Sequence, residues 1–195
     1  MNLNSTINLT PIYISKENIP LIYLSQCPGK NFMNSKGKLF NRSLNEDLEF
    51  IKKTNIKVIV NLLNLYELRT LGVKMHEYKH ICNELEIMMI SFPIIEMGIP
   101  SQNIQEIDNT LINQLAKFIT NNEPILIHCR GGVGRAGLIS GLLLRKLEKY
   151  NNYEECLTYL RTIRHKKCVE SMKQRDYLKK YFEYQRINTK INRIN

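Results

Sequence analysis

With 43% hydrophobic and 24% charged residues, the 195-residue chain can bury one substantial core, which excludes a low-complexity or disordered protein. A formal net charge of +10 and a pI near 9.4 favour phosphorylated or acidic partners and leave nonspecific nucleic-acid binding open. No apolar run is long enough to span a bilayer, no secretory signal pattern opens the sequence, and five cysteines without a C-x-x-C pair suit a reducing interior.

Residues 1–19 read as a polar, asparagine-rich N-terminal tail ahead of a single domain over 20–186, with a basic tail over 187–195. A strand is expected near Lys57–Leu62, helical sequence over Leu65–Leu85, a strand over Glu86–Phe92 and a helix over Asn103–Asn121. Pro124–Ile127 is a short β-branched run suited to a buried parallel strand, and Leu138–Glu148 has helical composition. Tyr153–Arg164 and Ser171–Tyr184 carry apolar residues at helical spacing, with Leu157, Leu160, Ile163, Tyr177, Leu178, Tyr181 and Phe182 as core candidates. Strand and helix alternate, so the expected fold is α/β, a central and mostly parallel sheet flanked by helices.

The strand-to-helix turn carries the chemistry. His128-Cys129-Arg130-Gly131-Gly132-Val133-Gly134-Arg135-Ala136-Gly137 sets a cysteine and an arginine at the two ends of a glycine-rich loop. Glycines 131, 132 and 134 let successive N–H groups turn toward one anion, and the following helix adds its positive end. The Arg135 guanidinium matches two phosphoryl oxygens at once. Those donors favour the thiolate of Cys129, which can attack phosphorus in line and leave a cysteinyl phosphate for water to hydrolyse. The backbone of Arg130, Gly131, Gly132, Val133 and Gly134 is the expected phosphate cradle, and the Arg130 side chain adds charge at its mouth.

Two competing motifs are weaker. Gly132–Gly137 also fits G-x-G-x-x-G, but no acidic residue follows at the dinucleotide-binding position and no GK[ST] is present. His76-Glu77-Tyr78-Lys79-His80 fits the zinc pattern H-E-x-x-H without an evident third ligand. The basic, aromatic C-terminal stretch Lys179–Asn195 lacks a zinc-knuckle or RNP pattern, so nucleic acid is not the expected partner.

HCxxGxxR resembles the signature of cysteine-dependent tyrosine and dual-specificity protein phosphatases. Ile22–Gly29, Arg42–Leu48, Glu67-Leu68, Phe92–Ile94 and Lys173–Leu178 further resemble the cyclin-dependent kinase inhibitor 3, or kinase-associated phosphatase, group. The resemblance covers residues 20 to 184 and implies that family's fold. It implies hydrolysis of phosphotyrosine, and of phosphoserine or phosphothreonine, with no metal or cofactor. It also implies a phosphorylated protein as substrate, a kinase among the candidate partners, no membrane, and a cytoplasmic location with the nucleus as alternative. In such enzymes a loop acid protonates the leaving oxygen, a place taken here by Glu96 in Pro93–Pro100, where the family usually has Asp. His128 supports the loop by hydrogen bonding. Ala136 stands where the family has a Ser or Thr hydroxyl, which implies a slow second step. Two alternatives follow: a phosphate-binding pseudophosphatase with little turnover, or a phosphatase of RNA 5′-triphosphates or phosphoinositides. Cys27, Cys82, Cys156 and Cys168 read as structural, and any one could protect an oxidised Cys129.

Overall fold

The computed structural model describes residues 6–33, 35, 37 and 39–192, the side chains of 190–192 excepted. Strand β1 (Thr10–Ile14) and β2 (Pro20–Gln26) lead into a small hairpin of β3 (Asn31–Met33) and β4 (Leu39–Asn41). Helix α1 (Leu44–Lys53), β5 (Val58–Asn61), α2 (Leu65–Thr70), α3 (Met75–Glu84) and β6 (Met88–Ser91) follow. A continuous helical stretch then runs through α4 (Ile104–Ile107), a wide π turn (Asp108–Ile112) and α5 (Asn113–Thr120). The chain ends with β7 (Ile125–Cys129), α6 (Gly134–Lys146), α7 (Tyr153–Ile163) and α8 (Met172–Asn192).

The main sheet has the order β1-β2-β7-β5-β6, parallel throughout except for β1, which pairs antiparallel with β2 at the edge. Strands β5 and β7 are buried at every position, which explains their unbroken apolar runs. Helices α5, α7 and α8 pack on α6, while α1 and α2 pack on α3. The mixed sheet with flanking helices is the architecture expected from the sequence.

Several boundaries differ from the reading above, each for a local reason. The segment taken as an N-terminal tail contributes β1, because Ile12 is buried and the Tyr159 hydroxyl donates to its carbonyl at 2.8 Å; residues 1–5 lie outside the described set. Helix α8 continues past residue 186, where a tail was expected; residues 193–195, and the side chain of Lys190, lie outside the described set. The helical stretch over 65–85 is broken at Gly72, which adopts φ +77° and abuts the Asn31 carbonyl so closely that a Cβ would lie 2.3 Å from its oxygen. Helix α1 was not anticipated, although Ser43 caps the Glu46 N–H and Leu48 and Ile51 are fully buried.

At the far end of the sheet, Asp108 fastens α8 to α6. Its carboxylate accepts from the Tyr181 hydroxyl at 2.5 Å and the Gln185 amide at 2.8 Å, and pairs with Lys146 at 3.0 Å. That packing holds the middle of α8, whose first turn carries Gln174 to the Gly98 carbonyl.

Candidate active site

The site lies at the carboxyl ends of the parallel strands, the usual place for ligands in open α/β sheets. Cys129 ends β7, buried, and its Sγ accepts the Gly132 N–H at 3.2 Å. Gly132 has φ +66°, and a Cβ there would fall 2.1 Å from the Ser25 carbonyl oxygen, so only glycine fits this reversal. Helix α6 begins at Gly134 with no side-chain cap, so its first N–H groups are open to an anion.

Arg164, just beyond α7, holds the loop from behind. Its Nε donates to the Gly132 carbonyl at 2.9 Å, its Nη2 to Gly131 at 3.3 Å, and its Nη1 to the Thr10 hydroxyl at 2.6 Å. With the carbonyls of 131 and 132 turned outward to this guanidinium, the N–H groups of 132 and 133 in the same peptide planes point the opposite way, toward Cys129 and the pocket. Burial lowers the Arg164 pKa, and the Cys168 and Cys129 thiols oppose that shift. Cys168 fastens the same loop by donating to the Val133 carbonyl at 3.3 Å.

Arg135 is also built in. Its Nη1 hydrogen-bonds Glu67 Oε2 at 2.9 Å and the Ile94 carbonyl at 2.7 Å, and lies 2.8 Å from Glu67 Oε1. Nε and Nη2 donate to no described residue, which leaves that edge of the guanidinium for a phosphoryl group. Glu67 is locked in turn by a reciprocal cap at the start of α2: its N–H donates to Asn64 and its carboxylate accepts from the Asn64 N–H.

The loop bearing Glu96 is tied at both ends and free in the middle. Ile94 donates its N–H to Leu62 and accepts from Arg135, while the Gly98 carbonyl accepts from Gln174 Nε2 at 2.9 Å. Gln174 is fully buried, its Oε1 accepting from the Glu170 and Ser171 N–H groups. Between the ties, Ile95, Glu96 and Met97 form an exposed turn closed by Gly98 N–H to Ile95. Met97 sits at φ +58°, a left-handed position that costs a non-glycine residue about 1 kcal/mol.

Glu96 and Cys129 line one cavity of about 330 Å³ together with Arg135, Gly131, Val133 and Gly134. Lys30, Arg130, His165, Lys167, Glu170 and Gln174 complete its wall. The structure thus brings together the cysteine, the arginine, the loop and the acid expected from sequence. His128 is buried beneath, its Nε2 sharing a 3.1 Å hydrogen bond with the Tyr78 hydroxyl; burial drives its pKa down to about 3, so the ring stays neutral. Ala136 is fully buried and carries no hydroxyl for the thiolate.

Glu67, Arg164, Gln174 and Lys30 were not picked out as site residues from sequence. Glu67 and Gln174 had local signals, the N-x-x-E cap that opens α2 and the S-x-x-Q cap from Ser171 that opens α8. The H-E-x-x-H residues serve elsewhere: His76 and His80 are exposed on α3, and Tyr78 between them is buried against His128. Among the described residues no three His, Cys, Asp or Glu side chains gather for a metal. Cys27, Cys82, Cys156 and Cys168 are free and buried, and burial pushes each thiol up to about 12.

Residues 35–147 match the profile of the "Polymorphic toxin system, DSP-PTPase phosphatase" family, more than half of the chain. The chain belongs to this family. It is a cysteine-dependent dual-specificity protein phosphatase, a hydrolase. Among curated proteins, human cyclin-dependent kinase inhibitor 3 is 28% identical, with 88% of this chain and 79% of the relative covered. A putative tyrosine phosphatase of invertebrate iridescent virus 6 is 36% identical over 38% of this chain and 28% of its own length. The crystal structure of kinase associated phosphatase, with its catalytic-site cysteine replaced by serine, superposes with a TM-score of 0.77. It covers 93% of this chain and 97% of its own at 23% identity, and shows the shared fold. No helix among the described residues is long and apolar enough to cross a membrane.

Proposed function

We propose that this phosphatase works through Cys129 as nucleophile, Arg135 and the N–H groups of residues 130–134 as the phosphoryl cradle, and Glu96 as general acid. The observation that carries the reading is the convergence of Cys129, Arg135 and Glu96 on one cavity. The Cys129 thiolate attacks phosphorus, the P–O bond to the substrate breaks, and Glu96 gives its proton to the departing oxygen. In the second step, water attacks the cysteinyl phosphate, its proton passes to the Glu96 carboxylate, and the thiolate leaves. Arg135 and the loop dipoles hold the equatorial oxygens through both steps.

The substrates are proteins phosphorylated on tyrosine and on serine or threonine. By the names of its relatives, a protein kinase is the candidate partner. Five free thiols support a reducing compartment, the cytoplasm or nucleus. The phosphatase unit runs from β1 into α8, since Thr10 meets Arg164 and Gln174 of α8 meets Gly98.

Glu96→Gln tests the mechanism through leaving-group dependence. Loss of the acid should slow release from a phosphotyrosine peptide by about 10²–10⁴-fold, and release from 4-nitrophenyl phosphate far less, because nitrophenolate departs without a proton. Equal rates for wild type and variant on the peptide would remove Glu96 from its role.

A further inference from the structure

A second cavity, of about 800 Å³, shares no lining residue with the catalytic cavity and takes no part in the chemistry above. It lies where the helical stretch over 65–85 is broken. Leu65 and Arg69 on the outer side of α2, the turn at Gly72 and the first residues of α3 form its wall. That wall is fixed from within. Leu68, Leu71 and Val73 are buried in the core, the Gly72 N–H donates to the Arg69 carbonyl at 3.0 Å, and the Val73 N–H donates to the Leu68 carbonyl at 2.9 Å. The Leu71 carbonyl in turn accepts the Asn31 N–H at 2.9 Å, which ties the turn to the β3–β4 hairpin. A groove already held in shape costs an occupant little ordering.

The groove combines apolar surface with charge of one sign. Leu65 is 58% exposed and, with the half-buried Met75, offers apolar contact inside the concavity. Arg69, Lys74 and Lys79 surround it; among the described residues none of the three forms an ion pair, and no carboxylate lines the groove. Three cations around one apolar surface repel one another, and an acidic occupant relieves that repulsion. The shape then selects among acidic partners. A membrane surface is too flat to enter a groove, and no aromatic ring lines it on which a nucleic-acid base could stack. A protein segment that inserts an apolar side chain between acidic neighbours meets both demands.

We propose that the α2–α3 groove docks an acidic segment of a partner protein, with a leucine-sized side chain seated on Leu65 and Met75 and carboxylates paired with Arg69, Lys74 and Lys79. The segment binds whether or not the phosphate loop is occupied, because the two cavities have no residue in common. The proposal stands apart from the catalytic reading and does not depend on which residue is the nucleophile. Seating one leucine-sized side chain corresponds to about tenfold or more in affinity. The surrounding charges together contribute about tenfold, and more at low salt than at high salt.

The test titrates a fluorescent synthetic peptide, two leucines flanked by glutamates, into the full chain and follows its anisotropy. With wild type alone, replacing the peptide's glutamates by lysines or its leucines by serines should weaken binding about tenfold or more. Leu65→Ser, and Arg69→Glu combined with Lys79→Glu, should each weaken binding of the original peptide to the same extent. These side chains are exposed, so both variants should keep wild-type hydrolysis of 4-nitrophenyl phosphate. Saturating inorganic phosphate, at matched ionic strength, fills the catalytic loop and should leave the peptide bound. Equal affinity in wild type and both variants, displacement of the peptide by phosphate, or no binding of the peptide at all overturns the proposal. Phosphatidylserine vesicles or single-stranded RNA that bound more tightly than the peptide, with the same dependence on Leu65, would overturn it as well.

Discussion

Replacing Glu67 with Gln removes one charge and leaves the side chain's size nearly unchanged, so it isolates what the carboxylate does for Arg135. In the native protein both groups are almost fully enclosed, with side-chain exposures of 4% for Arg135 and 10% for Glu67. Breaking such a pair from one side leaves a buried charge uncompensated, at a typical cost of about 3–5 kcal/mol. Here the Ile94 carbonyl still accepts from Nη1 at 2.7 Å and Arg135 borders the cavity, so the cost falls at or just below that range, about 2–3 kcal/mol. For a domain of this size each kcal/mol moves the melting midpoint by about 2–4 °C, which gives a fall of about 5–10 °C. A guanidinium released to swing by ~1 Å should also lower kcat/KM by about a hundredfold. Thermal unfolding with and without inorganic phosphate gives a second signature. An anion in the loop replaces the lost carboxylate as counter-charge, so phosphate should raise the midpoint of Glu67→Gln more than that of wild type. A midpoint within 2 °C of wild type, kcat/KM within about threefold and equal phosphate shifts would refute the view that Glu67 positions Arg135.

Two further outcomes follow from the same geometry. Ala136→Ser restores a hydroxyl beside the thiolate, so rapid-quench kinetics on wild type should show a burst of leaving group followed by slow turnover, with a shrunken burst and faster steady state in the variant; a wild type without a burst would show that hydrolysis of the cysteinyl phosphate is not limiting. His128 has a native pKa of about 3 against an unfolded value near 6.5, so as pH falls through that window the unfolded chain binds a proton that the native state refuses. Stability is therefore lost on acidification, about 2 kcal/mol by pH 5, at about 1.4 kcal/mol for each pH unit below 6.5. Urea midpoints at pH 7 and 5 should diverge less in His128→Asn than in wild type, and parallel slopes would contradict a neutral buried imidazole.

What could be read from sequence divides along a physical line. The phosphate loop is contiguous: one strand exit, three glycines and one helix start specify its shape locally, so Cys129, Arg135 and the cradle between them were legible. Glu96 was singled out through the resemblance, which implies an acid soon after Pro93-Ile94, and it lines the same cavity as Cys129. The supports were not, because each comes from a distant segment. Arg164 is 32 residues from the carbonyl it holds, Glu67 is 68 from Arg135 and Gln174 is 76 from Gly98. None has a pattern that announces a tertiary partner. Strand β1 was hidden for a different reason. It is an edge strand with a proline, and Ile12 is its one buried residue, so its sequence resembles a polar tail. The split at Gly72 turns on a single close approach to Asn31, a contact that helical periodicity does not register.

The central claim is that Cys129 is the nucleophile of a metal-independent phosphatase, and its most direct measurement is phosphate release from a phosphotyrosine peptide in the presence of chelator. Wild type should turn the peptide over at a rate the chelator does not change, while Cys129→Ser should bind it and release no phosphate. Turnover that survives in Cys129→Ser, or that disappears from wild type when chelator is added, would contradict the account.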